Sequence, residues 1–160
     1  MGKGMVLVLG LVLLSSLIWA KEAKTASNRD LALSFYDDVI NKHNVEAVDK
    51  YVAENMVDHN PDPGQKPGKA GVKEAFAASF RVFRNLRLKP EFTVCEGDKV
   101  VTRFTMFGTQ KGAFMGVPAS GKKFKITGID ILRFEDGKIV ERWGNVDALK
   151  MMQDLSADKK

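Results

Sequence analysis

One stretch, GIDILRFEDGKIVERWG (residues 128–144), carries the residues with the most to offer chemically, and its first carboxylate, Asp130, lies between Ile129 and Ile131. Alternation along a strand puts Asp130 on one face with Phe124, Ile126, Leu132 and Phe134. Lys123, Lys125, Thr127, Arg133 and Glu135 take the other. Asp130 is therefore expected on the apolar, core-facing side. Asp136-Gly137 has the form of a two-residue hairpin turn, which pairs Glu135 with Lys138. Stepping outward, Leu132 faces Glu141, Asp130 faces Trp143 and Gly128 faces Asn145. The inward face would then hold Asp130, Glu141, Trp143, Asn145 and Asp147, a set of polar groups beside an indole that suits the floor of a pocket.

Desolvation beside an aromatic ring disfavours the charged form of a carboxylate, and a second carboxylate nearby acts in the same direction. A carboxyl group that titrates closer to neutrality can take a proton and return it. The same spacing also fits a buried aspartate satisfied by backbone amides or by Arg103. Arg103, mid-strand in VVTRFT, could instead meet a substrate carbonyl or carboxylate. His59, at the loop start DHNP, is read either as a pocket residue or as a loop histidine capping a helix end. Phe114 and Met115, with Val117, stand among Gly112, Gly116 and Gly121 in a loop that could close over a ligand. They could equally pack permanently against the core.

Other reactive residues offer less. His43 closes the first helix, where a cation suits the dipole. Cys95, the single cysteine, reads as a small buried hydrophobe, with no base nearby to activate it. Two histidines and one cysteine leave no ordinary ligand set for zinc, so no metal is expected.

The elements that must position these residues follow from periodicity. Ser27-Asn-Arg-Asp30 forms a variant capping box before a helix over 28–42, whose apolar face includes Leu31, Phe35, Tyr36, Val39 and Ile40. Tyr36 is placed among the ligand contacts. Asn44 starts a second, shorter helix. HNPDPGQKPG (59–68) is a loop, and a third helix runs from Gly68 to Arg84. From Leu86 onward the pattern becomes strand-like, through residues 86–96, 99–109, 123–135 and 138–147, before a closing helix over 148–155. Helices first and an antiparallel meander second define an α+β domain.

The 160 residues carry a formal charge of +5, with lysines scattered rather than striped, which argues against nucleic-acid binding. Residues 1–20 have Lys3 followed by an uncharged run from Val6 to Ala20, shorter than the roughly 20 apolar residues of a spanning helix. They read as a secretory signal cleaved near Ala20, giving an exported chain (secreted or periplasmic) of charge +4 and no lasting membrane attachment. The alternative is an uncleaved N-terminal anchor. Residues 21–27 form a tether, 28–155 the domain and 156–160 a tail.

YVAENMVDHNP (51–61) and the segment from VVTRFTMFGTQ through GIDILRFEDGKIVERWGNVDAL (100–149) resemble the SnoaL-like polyketide cyclase or ester cyclase family. The resemblance implies the nuclear transport factor 2-like fold, a cystatin-like α+β barrel in which helices packed in a cone close on a strongly curved antiparallel sheet. It also implies an internal pocket for a small apolar or polyketide-like molecule. In the cyclases an aspartate acts as acid and base in an intramolecular aldol closure, without metal or organic cofactor. That aspartate falls on Asp130, and His59, Trp143 and Asp147 fall on the other motif positions. Two positions depart from the pattern. Gln110 stands where the family often has a substrate-polarising histidine, and Arg142 where it often has an acid or histidine. A cofactor-independent enzyme using Asp130 for cyclisation, isomerisation or hydrolysis is one expectation. A non-catalytic carrier of the same fold is the other. Arg103 leaves open which face of its strand points inward, and a homodimer through the sheet would cover both.

Overall fold

The structure, a computed structural model, describes residues 27–156. The expected signal, nearly all of the tether and the end of the tail lie outside the described residues.

Helix α1 (Asn28–Phe35) starts as its sequence requires: the Ser27 hydroxyl accepts the Asp30 amide at 3.2 Å and donates to the Asp30 carboxylate at 2.7 Å. It runs without a break into a wider π-type stretch, Tyr36–Asn41. His43 then adopts a left-handed backbone with φ 54°, its Nε2 2.9 Å from the Leu86 carbonyl and its ring stacked on Phe80, so its role is structural. A single 3₁₀ turn and the short α2 (Val48–Tyr51) lead into β1 (Val52–Asp58).

That strand is the main departure from the sequence reading, which has no strand before residue 86. Only Val52 and Met56 are buried in it, four residues apart, so it lacks the period-two pattern that marks a strand. Its conformation comes from parallel pairing with β5 at one edge of the sheet. Helix α3 (Gly68–Val82), β2 (Phe83–Glu96), β3 (Lys99–Gln110), β4 (Lys123–Glu135), β5 (Lys138–Val146) and α4 (Ala148–Ser156) complete the fold. The order β1-β5-β4-β3-β2 makes a mostly antiparallel sheet with one parallel edge strand. Two irregularities in β2, at Arg84/Arg87 and Pro90/Phe92, and one in β5 bend it, as extra residues in one strand of a pair do.

β4 alternates as expected: Phe124, Ile126, Asp130, Leu132 and Phe134 are buried, while Lys123, Lys125 and Glu135 face out. On β3 the inward set is Val100, Thr102 and Phe104. Arg103 thus faces outward, where it pairs with Glu91 at 2.9 Å and not with Asp130 or Glu141. Cys95 is exposed on β2, not a buried hydrophobe.

The β4–β5 hairpin obeys its turn and then breaks its register. Asp136 and Gly137 both have positive φ (49° and 74°), and Glu135–Lys138 and Phe134–Ile139 pair as anticipated. Val140 is then an extra residue, so Arg133 meets Glu141, Leu132 meets Arg142 and Asp130 meets Gly144. One inserted residue reverses the facing of every residue beyond it. Arg142 and Gly144 turn inward; Glu141 and Trp143 turn outward.

Candidate functional site

A cavity of about 390 Å³ lies between the helices and the inner face of the sheet. Its walls are apolar and aromatic, including Phe35, Phe76, Phe83, Phe104 and Leu132, and one end is polar, with Asp58, Asn60, Gln65, Asp130 and Arg142. An apolar chamber with a few converging polar groups is the usual build of a small-molecule site.

Arg142 organises the polar end. Its Nε and Nη2 both reach Oδ1 of Asp130 at 3.0 Å, and its Nη1 donates to Asp58 at 3.0 Å and 3.3 Å. Strands β4, β5 and β1 are thereby tied through one guanidinium. Asp58 also accepts the Asn60 amide at 3.0 Å and Gln65 Nε2 at 3.3 Å. Gly144 is required beside this pair, because a Cβ there would lie 2.0 Å from Arg142 Nη2 and 2.6 Å from Asp130 Oδ1.

Asp130 is 5% exposed. Burial pushes its carboxyl group above the usual carboxylate range, against the opposing pull of the Arg142 charge and hydrogen bond; Asp58 adds to the rise. Arg142 is itself held protonated by the two carboxylates, which outweigh the cost of its burial. Tyr36 is fully buried, with its hydroxyl directed at Asp130 and Thr102. Burial and the nearby Asp130 charge push its phenol well above the ordinary tyrosine value.

On the outer face a second cluster braces the first. His59 stacks flat on Trp143, with ring centroids 4.4 Å apart, and its Nε2 lies 2.8 Å from Glu141. Arg133 donates to the same carboxylate at 2.6 Å. The hydrogen bond from His59 and then that from Arg133 hold Glu141 below the usual glutamate range. The His59 amide donates to the Arg142 carbonyl at 2.9 Å. This clamp fixes β1 against β5 where Asp58 and Arg142 face inward.

Of the residues singled out in the sequence, Asp130 and Phe114 border the cavity, Asn145 meets it only at the edge from the outward row opposite Ile129, and Tyr36 backs Asp130. His59, Glu141 and Trp143 are together, but on the opposite face. Asp147 caps α4, its Oδ1 accepting the Lys150 amide at 2.9 Å. Gln110 is buried as a loop fastener: Ser120 donates to its Oε1 at 2.6 Å, and its Nε2 donates to the Val117 carbonyl at 3.2 Å. Met115 is 67% exposed at the loop tip, while Phe114 packs edge-on against Phe83. The lid residues are thus divided, one inside and one outside. Asp58, Arg142, Asn60 and Gln65 were missed. Arg142 was noticed only as a departure from a family pattern, and Asp58 only as the neighbour of His59. Among the described residues no three histidine, cysteine or acidic side chains converge as a metal site.

The fold matches known proteins. The SnoaL-like polyketide cyclase family profile covers residues 30–155, so the chain belongs to that family. Among solved structures, TsrD from Streptomyces laurentii shares 28% identity at a TM-score of 0.76, covering 84% of this chain and 98% of its own. IdmH from Streptomyces antibioticus, a candidate polyketide cyclase, shares 28% identity at a TM-score of 0.72, covering 82% of this chain and 100% of its own. AclR from Streptomyces galilaeus, a candidate hydroxylase, shares 25% identity at a TM-score of 0.70, covering 80% and 94%. No curated protein matches the chain.

The shared guanidinium makes a pH-dependent prediction. Replacing Arg142 with Met leaves Asp58 and Asp130 facing one another without a cation. The expected loss at neutral pH is about 3 kcal/mol, near the low end for breaking a buried pair, because 29% of the Arg142 side chain remains open. Each carboxylate then disfavours ionisation of the other, so the folded state binds more protons than the unfolded one. Stability is kept below the ordinary aspartate pKa of about 3.9 and lost as pH rises above it. Thermal melts of Arg142→Met should therefore lie far below the parent at pH 7 and close the gap only as pH falls toward about 4.

Proposed function

We propose that the chain takes a small, largely apolar, oxygen-bearing molecule into the cavity and works on it by cofactor-independent acid–base chemistry at Asp130. The observation that carries this reading is the placement of a buried carboxyl group, with raised proton affinity, at the one polar end of an apolar chamber. Both Arg142 contacts fall on Oδ1, which leaves Oδ2 for a bound molecule. Membership of a cyclase family makes ring closure through an enol one candidate reaction, with isomerisation and hydrolysis using the same proton carrier. A carrier role is favoured by a different observation: Arg142 is already engaged by both Asp58 and Asp130, which suits a fixed wall of a binding site.

Asp130→Asn preserves shape and removes the exchangeable proton. On a panel of neutral aromatic polyketones, turnover should fall by about 100-fold or more while affinity stays within a few-fold. Unchanged turnover with an unchanged pH profile would sink the catalytic reading. Binding by the parent without turnover of any member would establish the carrier.

We also propose that a second copy of the chain covers the outer sheet face. Two rows cross that face, Phe92–Arg103–Ile129–Asn145 and Val94–Val101–Ile131–Trp143. Phe92 and Val94 are each 56% exposed and Ile129 45%. An exposed apolar patch of this kind suits a two-fold dimer. Sedimentation should give a dimer for the parent and a monomer for Ile129→Arg; a monomeric parent overturns the proposal. Export is the third element of the reading, supported by the uncharged run of residues 6–20 after Lys3. Intact mass of the exported protein should begin at Lys21, and a mass retaining Met1 would instead support an anchor.

A further inference from the structure

The proposed chemistry requires Asp130 to remain able to hold a proton, yet an arginine fully committed to it would keep it ionised. The geometry shows how that outcome is avoided. Arg142 spends Nη1 on Asp58, and Asp58 has every reason to stay an acceptor: two Arg142 contacts, the Asn60 amide and the Gln65 amide all point at its oxygens. On Asp130 the arginine reaches Oδ1 alone. The groups facing Asp130 are Arg142 from β5, Asp58 from β1, the Tyr36 phenol from α1 and the neutral Thr102 from β3.

We propose that Asp58 is a positioning residue that occupies half of the Arg142 guanidinium, keeping Asp130 available as a proton carrier and the cavity selective for an uncharged oxygen-bearing ligand over a carboxylate. This rests on the reading that Asp130 is the working group, but its test needs no turnover. With Asp58 and Arg142 cancelling one another, no free cation remains among the described residues at the polar end for an anionic ligand. Asp62, which also borders the cavity, adds a further negative charge there. A neutral hydroxyl can instead hydrogen-bond to Oδ2 of Asp130 in either of its protonation states, and a neutral carbonyl can accept from it when the carboxyl is protonated. Gly144 completes the arrangement, since any side chain there would push Arg142 Nη2 off Asp130 and disturb the division.

The experiment compares parent, Asp58→Asn and Asp58→Glu proteins by two readouts. The first is the titration midpoint of Asp130, followed by carbon NMR of ¹³C-labelled aspartate carboxyls and assigned with Asp130→Asn. In Asp58→Asn the guanidinium falls to Asp130 alone, so the midpoint should drop by about one pH unit or more; Asp58→Glu, which keeps the charge, should stay near the parent. The second is affinity for 2-naphthol against 2-naphthoate near neutral pH. The parent should prefer the neutral naphthol by about tenfold or more, roughly the 1.4 kcal/mol that separates decades of affinity. Asp58→Asn, with Nη1 released, should narrow or reverse that preference. An unmoved or raised midpoint in Asp58→Asn overturns the positioning role. A parent that binds naphthoate as tightly as naphthol, or does not bind naphthol, overturns the ligand class. Persistence of turnover in Asp130→Asn would remove the catalytic reading while leaving both of these measurements to stand or fall separately.

Discussion

Everything at the polar end of this molecule depends on one guanidinium shared by two carboxylates. Arg142 holds Asp58 and Asp130 at 3.0 Å each, and through them joins the edge strand β1 to the two central strands β5 and β4. Burying three charges costs several kcal/mol per ion unless the geometry returns it. Here the fork of the arginine meets both partners, and further amides satisfy Asp58. The sharing leaves the network one negative charge in excess when all three groups are ionised. Protonation of Asp130 relieves that excess, and desolvation favours the same change.

A shared ion network of this kind needs rigid backing, and the outer face supplies it. The flat stack of His59 on Trp143, the Glu141 carboxylate between His59 and Arg133, and the amide of His59 on the Arg142 carbonyl all lie behind the residues that face the cavity. On the inner side, Gly144 leaves the guanidinium room to lie across the strand. The chamber beyond is apolar because β2, β3 and β4 turn one consistent face toward the helices. Phe83 anchors its far wall, against Phe114 at 4.9 Å and Phe124 at 5.2 Å.

Much of this was legible in the chain. The capping box at Ser27, the Asp136-Gly137 turn, the alternation of β4 and the inward facing of Asp130 are local properties, set by short-range hydrogen bonding and the period of a strand. The partners of Asp130 were not legible. The two-residue turn predicts Trp143 opposite it, and that prediction holds for two pairs before Val140 interrupts the ladder. β1 was missed because an edge strand buried at only two positions has no alternation to read, and with it went Asp58.

By itself the sequence determined that a carboxylate would sit on the core side of an α+β domain, in a chain whose motifs place it in the SnoaL-like family. Its tertiary structure decided what that carboxylate touches. A bulge has no signature in residue type here, since ERWG would read as strand in either register. The choice is made by pairing across the sheet, where an inward Arg142 finds two carboxylates and an outward Trp143 finds a histidine. The alternative register would bury Glu141 on the inner face and strip Asp58 and Asp130 of their shared cation. Long-range charge pairing in a desolvated interior, which no local pattern encodes, separates the two.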